Sequence, residues 1–189
     1  MHLHRREFLQ ALAVGSAALL LPSRLHAQLL LTPGHEVALK CLGNVPGNRF
    51  LDGRTQNATV GLAPSLTKRF SGTKWRVFNA GPNGRISLQC RGNVQGNRWL
   101  DGRTQNATVG LAPNRNKPFT GVVWEIVPLD DNNPNIVALK CLGDIEGNRF
   151  LDGRTGDGSV GLAKSTDPPF TGTRWQVSAY PVCIDEPCP

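Results

Sequence analysis

Glutamate is scarce, with only five in 189 residues, and the chain holds one methionine, one tyrosine and four histidines. Helices of soluble proteins draw heavily on Glu, so its shortage argues against a helical bundle. No long 3.6-residue periodicity follows the first thirty residues, which disfavours an α/β nucleotide-binding fold. Nucleophile elbows, phosphate loops and zinc-protease motifs are missing as well. Lys and Arg number 21 against 14 Asp and Glu, a net charge of +7. They form no run of the kind that marks nucleic-acid binding, and a moderate positive charge suits acidic glycans or anionic surfaces. Abundant instead are 21 Gly and 14 Pro, the signature of many turns between short strands.

The N-terminus is ordered like an export signal. Arg5-Arg6-Glu7-Phe8-Leu9 precedes the apolar run Ala11–Leu21, then Arg24 and Leu25-His26-Ala27. The apolar stretch is short for a membrane span, and a charged, apolar, small-residue order is that of a signal peptide. The paired arginines with Phe and Leu behind them resemble a bacterial twin-arginine signal, which implies a periplasmic or secreted bacterial protein. The expected division is a signal peptide over 1–27, one domain over 28–180 and a Cys-containing tail over 181–189. Cleavage after Ala27 leaves His35 as the one histidine, which argues against a His-dependent triad or metal site; it also removes the apolar run, so no membrane span is expected in the mature protein.

The remainder is one unit written three times. Cys41, Cys90 and Cys141 are each followed eleven residues later by Asp52, Asp101 or Asp152, and thirty-four residues later by Trp75, Trp124 or Trp175. The units run over 36–84, 85–134 and 135–180, and length changes fall only in the connections between them. Within a unit the apolar residues form four clusters, in the first Val37–Leu42, Phe50–Asp52, Val60–Ala63 and Trp75–Phe78, with Gly53–Thr59 expected as a hairpin turn. A unit this small cannot bury its own core, so three must share one. Twelve short strands in three equivalent four-strand units give an all-β chain with pseudo-threefold symmetry, the plan of a β-trefoil.

The segment 48–63 matches 97–112 at all but one position, and 148–163 at twelve of sixteen. The pentapeptides 65–69, 114–118 and 165–169 share little. A carboxylate and a guanidinium two residues apart on a strand lie on one face, so Asp52 and Arg54, Asp101 and Arg103, and Asp152 and Arg154 present an acceptor beside a planar donor fork. Asn48, Asn97 and Asn148, with Arg49, Arg98 and Arg149, are expected to add donors from the preceding turn. Phe50, Trp99 and Phe150 would supply an apolar face, and Trp99 is the aromatic that differs between units. Polyols are recognised by such convergent polar groups beside an apolar surface. The alternative is structural: each Asp pairs with its own Arg or caps an Asp-Gly turn. Trp75, Trp124 and Trp175 are expected in the core, and Cys41, Cys90 and Cys141 as buried thiols. Cys183 and Cys188, close together in the tail, are candidates for a local disulfide.

The order Leu-x-Cys, [Phe/Trp]-Leu-Asp, Val-Gly-Leu-Ala and a closing Trp resembles the repeat of ricin-type β-trefoil lectins, and is similar to that of fascin-like trefoils. The resemblance implies a non-catalytic carbohydrate-binding module without cofactor or metal, whose partners are glycans or cell-surface polysaccharide. It places the sugar-binding Asp at Asp52, Asp101 and Asp152. Two positions depart from the ricin-type pattern. The aromatic that stacks on the sugar is Ala63, Ala112 or Ala163, and the Gln before the closing Trp is Thr73, Val122 or Thr173. A trefoil scaffold that binds a protein partner and no sugar is the competing expectation.

Overall fold

The computed structural model describes residues 30–181; Cys183, Cys188 and residues 1–27 lie outside them. Twelve strands of five or six residues follow one another among the described residues: β1 (Glu36–Cys41), β2 (Phe50–Arg54), β3 (Thr59–Ala63), β4 (Trp75–Asn79), β5 (Ile86–Cys90), β6 (Trp99–Arg103), β7 (Thr108–Ala112), β8 (Trp124–Pro128), β9 (Ile136–Cys141), β10 (Phe150–Arg154), β11 (Ser159–Ala163) and β12 (Trp175–Ala179). A short 3-10 turn precedes β4, β8 and β12, over Lys68–Thr73, Thr120–Val122 and Thr171–Thr173. No helix of these residues is long and apolar enough to cross a membrane.

Pairing closes a ring. β1, β12, β9, β8, β5 and β4 each run antiparallel to both neighbours and return to β1. Closure leaves no exposed edge in that ring. The hairpins β2–β3, β6–β7 and β10–β11 hang from it through the pairs Lys40 with Phe50, Gln89 with Trp99, and Lys140 with Phe150. They meet one another where β3, β7 and β11 touch pairwise.

The core sits inside this arrangement. Trp75, Trp124 and Trp175 are fully buried, and each indole N–H donates to the carbonyl of Leu51, Leu100 or Leu151 at 2.9–3.1 Å. A buried indole thus gains its apolar burial without stranding its one donor. Around them lie Leu39, Leu62, Leu88, Leu111, Leu139 and Leu162, all buried, each contributing about 1.5–3 kcal/mol of transfer free energy.

One local expectation is corrected. Gly53 and Arg54 continue β2, pairing with Val60 and Thr59, so the reversal is confined to residues 55–58 and there is no Asp-Gly turn for Asp52 to cap. Gly53 is required by packing. A Cβ there would lie 2.7 Å from the Cys90 sulfur and 3.1 Å from the Trp75 ring. Gly102 and Gly153 stand in the same relation to Cys141 with Trp124 and to Cys41 with Trp175. Each thiol comes from the unit after its glycine, with the third unit followed by the first. The thiols donate weakly to Gly53, Gly102 and Gly153 carbonyls at 3.4 Å, and burial pushes their pKa up, which leaves them poor nucleophiles.

Candidate functional site

Alternation along β2 turns Leu51 into the core and leaves Asp52 on the outer face with Arg54. The Lys68–Thr73 turn then folds over that face. Gly72 approaches so closely that a Cβ on it would meet Asp52 Oδ1 at 2.5 Å, and Gly121 and Gly172 crowd Asp101 and Asp152 alike. Asp52 is therefore only 8% exposed and Asp101 6%, while Arg54 and Arg103 project into solvent.

The carboxylates face their own arginines, Asp52 Oδ2 to Arg54 Nε at 3.8 Å and Asp101 Oδ2 to Arg103 Nε at 3.7 Å; Asp152 feels the Arg154 charge. Burial pushes all three Asp pKa values up, and the arginines offset this only in part. An exposed guanidinium near 3.8 Å stabilises weakly. By contrast Asp157, on the exposed turn, accepts from the Ser159 N–H at 2.8 Å and its pKa is lowered by that bond.

The far wall comes from the next unit. Thr55 Oγ1 donates to the Val94 carbonyl at 2.7 Å, and Thr104 and Thr155 donate to the carbonyls of Ile145 and Val45. Arg98, Arg149 and Arg49 reach the same three carbonyls from the other side with Nη2. Ser71, Thr120 and Thr171 accept from the N–H groups of Asn93, Asp144 and Asn44. At the loop corner, Gly47, Gly96 and Gly147 have φ between +147° and +152°, and a Cβ would run into the carbonyl of Thr155, Thr55 or Thr104. Only glycine fits there.

Cavities open at these junctions. One of about 300 Å³ lies among Asp152, Arg154, Thr155, Phe170, Asp157 and Val45. Another of about 260 Å³ lies among Asp101, Arg103, Thr104, Phe119, Gln105 and Ile145. Asp and Arg of the repeated block are thus brought together beside an aromatic ring, Phe119 or Phe170, from the residue just before the 3-10 turn.

Other expected residues go elsewhere. Arg49, Arg98 and Arg149 are spent on their own loops, each Nη1 donating to two backbone carbonyls, for Arg49 those of Cys41 and Gly43 at 3.1 and 2.9 Å. Asn148 donates to the Leu162 carbonyl at 3.2 Å, and Asn48 lies beside Gly158 of the third unit. Neither Asn48, Asn97 nor Asn148 lines the two junction cavities. The reason is the β1–β2 type of loop, which sets Asn148 against β11 of its own hairpin and Asn48 against the neighbouring one. Trp99 also leaves the site: it packs edge-on against Phe78 with centroids 5.0 Å apart, under the Arg115 guanidinium at 4.7 Å. Phe50 and Phe150, at the same half-buried position of their strands, are likewise not the cavity's aromatic wall.

Sequence reasoning passed over Thr55, Thr104 and Thr155, and over Phe119 and Phe170. A signal for the aromatics was present. Phe-[Ser/Thr]-Gly recurs at 70–72, 119–121 and 170–172 directly after the pentapeptides that diverge.

No family model matches the sequence, and no curated protein matches it. Solved structures are similar in fold. A salivary protein from Culex quiquefasciatus of the Cysteine and Tryptophan-Rich family superposes with a TM-score of 0.54 at 17% identity, over 78% of this chain and 94% of the other. The BEL β-trefoil, in an apo crystal form, gives 0.53 at 16% identity with the same coverage. The Polyporus squamosus lectin, bound to a human-type influenza-binding epitope, gives 0.51 at 14% identity over 78% of this chain and half of that longer one. At these identities the likeness is one of fold, that of an all-β chain with β-trefoil neighbours.

Proposed function

We propose that this protein is an exported, non-catalytic glycan-binding β-trefoil whose three repeated units form up to three equivalent, individually weak sites. The observation that carries the reading is a carboxylate kept in a partly desolvated cavity at its own electrostatic cost. Asp52, Asp101 and Asp152 have raised pKa values, face a weakly held guanidinium, and lie beside apolar side chains. Unlike Asp157, which accepts the Ser159 N–H, these carboxylates are stabilised by no backbone N–H, so their oxygens are left to a ligand's donors. Sugar hydroxyls are donors of the missing kind. The lectin among the fold neighbours lends support. Linked weak sites gain avidity on a polysaccharide or cell surface. The signal-like segment 1–27 supports a periplasmic or secreted location in a bacterium.

A second reading, a trefoil that binds a protein partner and no sugar, is favoured by the clamps of Thr55, Arg98 and their equivalents. They explain part of the repeated block without any ligand. A glycan array carrying neutral and acidic sugars, run on wild type and on the Asp52→Asn/Asp101→Asn/Asp152→Asn variant, separates the two. Signal lost in a folded variant supports the sugar site; an array blank for both proteins supports the partner scaffold.

A further inference from the structure

Among the described residues, the large hydrophobic side chains left exposed are Val45, Val94 and Ile145, at 57, 50 and 55%. They occupy the same position in the three units. Their exposure is not a by-product of a loose loop. The carbonyl of each is held from one side by a threonine of the preceding unit and from the other by an arginine of its own unit, so the backbone is fixed without help from the side chain. A polar residue would serve the loop equally well and would avoid apolar exposure. Val45 touches the turn at Gly156, which accounts for only part of its surface.

Two of these side chains border the cavities that hold the Asp–Arg pairs: Val45 with Asp152, Arg154 and Phe170, and Ile145 with Asp101, Arg103 and Phe119. The lining of each cavity therefore combines a carboxylate acceptor and a guanidinium donor with an aliphatic side chain and an aromatic ring. Its volume is near the lower end for small-ligand sites, roughly 300 Å³, and suits a ring or two more than a peptide segment. The complement of such a site has hydroxyls on one edge and C–H groups on a face. The Asp–Arg pair at each cavity carries no net charge of its own, which suits a neutral ligand.

We infer that Val45, Val94 and Ile145 are the apolar platforms of the sites and that the ligand is a neutral pyranose polysaccharide, held at successive units. The inference rests on the glycan-binding reading and names its substrate class and specificity residues. It also accounts for the alanines at 63, 112 and 163: the platform is supplied by the next unit's loop, so no aromatic is needed after β3, β7 or β11.

The test uses protein expressed from the full chain and soluble galactan, mannan, β-glucan and dextran as probes, by affinity electrophoresis at physiological salt. The variant Val45→Thr/Val94→Thr/Ile145→Thr changes only exposed side chains, with folding checked by near-ultraviolet circular dichroism. The expected result is that wild type is retarded by at least one probe and that the variant binds it about fivefold more weakly per site. A second variant, Val45→Tyr/Val94→Tyr/Ile145→Tyr, is expected to bind more tightly by offering stacking area. Unchanged retardation in both variants overturns the platform assignment while leaving glycan binding in place. Wild type that ignores every probe but binds polygalacturonate overturns the neutral-ligand claim alone, and wild type that binds no glycan overturns both.

Discussion

A cavity of about 510 Å³, lined in part by Leu31, Asn83, Arg85, Ile126, Asp130 and Pro134, is larger than either junction cavity, yet it is built mostly from single-copy material. Its walls come from the N-terminal segment, from the connections between units, which differ in length and sequence, and from the adjoining ends of β4, β5 and β8. The junction cavities are smaller but are assembled from residues that recur in every unit. The difference teaches that volume does not locate the repeated chemistry. Constraint does, because Gly53, Thr55 and their equivalents lie in their own hairpin and also meet the next unit, whereas the connections need only span a gap.

The sharpest way to break that comparison is at glycine. Gly147→Ala would place a Cβ 2.7 Å from the Thr104 carbonyl carbon at φ +147°, and is expected to cost more than about 3 kcal/mol of stability in urea denaturation. Gly84→Ala, at φ +69° with nothing within 4 Å, is expected to cost only about 1 kcal/mol. Equal costs would mean that the junctions and the connections are equally constrained.

The three carboxylates provide the next effect. A group whose folded pKa is raised binds its proton more tightly folded than unfolded, so stability falls as pH rises from the unfolded carboxylate value through the raised one. The Asp52→Asn/Asp101→Asn/Asp152→Asn variant lacks that loss. It is expected to be more stable than wild type at pH 7, with the gap closing as pH falls through the raised folded value to the ordinary carboxylate value, and to bind glycan at least tenfold more weakly. A variant less stable at pH 7 would show that the carboxylates hold the hairpins.

The units themselves are not identical. Arg69 lies over the Phe70 ring at 5.7 Å, where the other junctions have Pro118 and Pro169 beside Phe119 and Phe170. Asp101→Asn or Asp152→Asn alone is therefore expected to weaken binding about tenfold at its site, and Asp52→Asn less; titration calorimetry reads the stoichiometry. The smallest effect is expected at Trp99. Trp99→Phe keeps a ring against Phe78 and Arg115, costs about 1 kcal/mol or less, and leaves glycan binding unchanged.

Much of this was legible in the residues. Fixed spacing from Cys to Asp to Trp announces repeated units, and Trp75, Trp124 and Trp175 with the three thiols lie in the interior as expected. The Asp–Arg pairing follows from strand alternation alone. What could not be read was contact between units. Asn48 and Trp99 are adjacent in sequence to the site and leave it because their neighbours come from distant hairpins and strands. Thr55 reads as an ordinary turn residue until Val94 is placed against it, and Gly53 reads as a turn glycine until the Cys90 sulfur is.

The most direct measurement is an amide NMR titration of the protein with the tightest glycan from the array. The account predicts shifts concentrated at Gly102, Thr104 and Ile145 and at Gly153, Thr155 and Val45, the walls of the two junction cavities. Shifts centred on Asn83, Arg85 and Asp130 would contradict it, since they would place the ligand in the large cavity and leave the repeated block a structural joint.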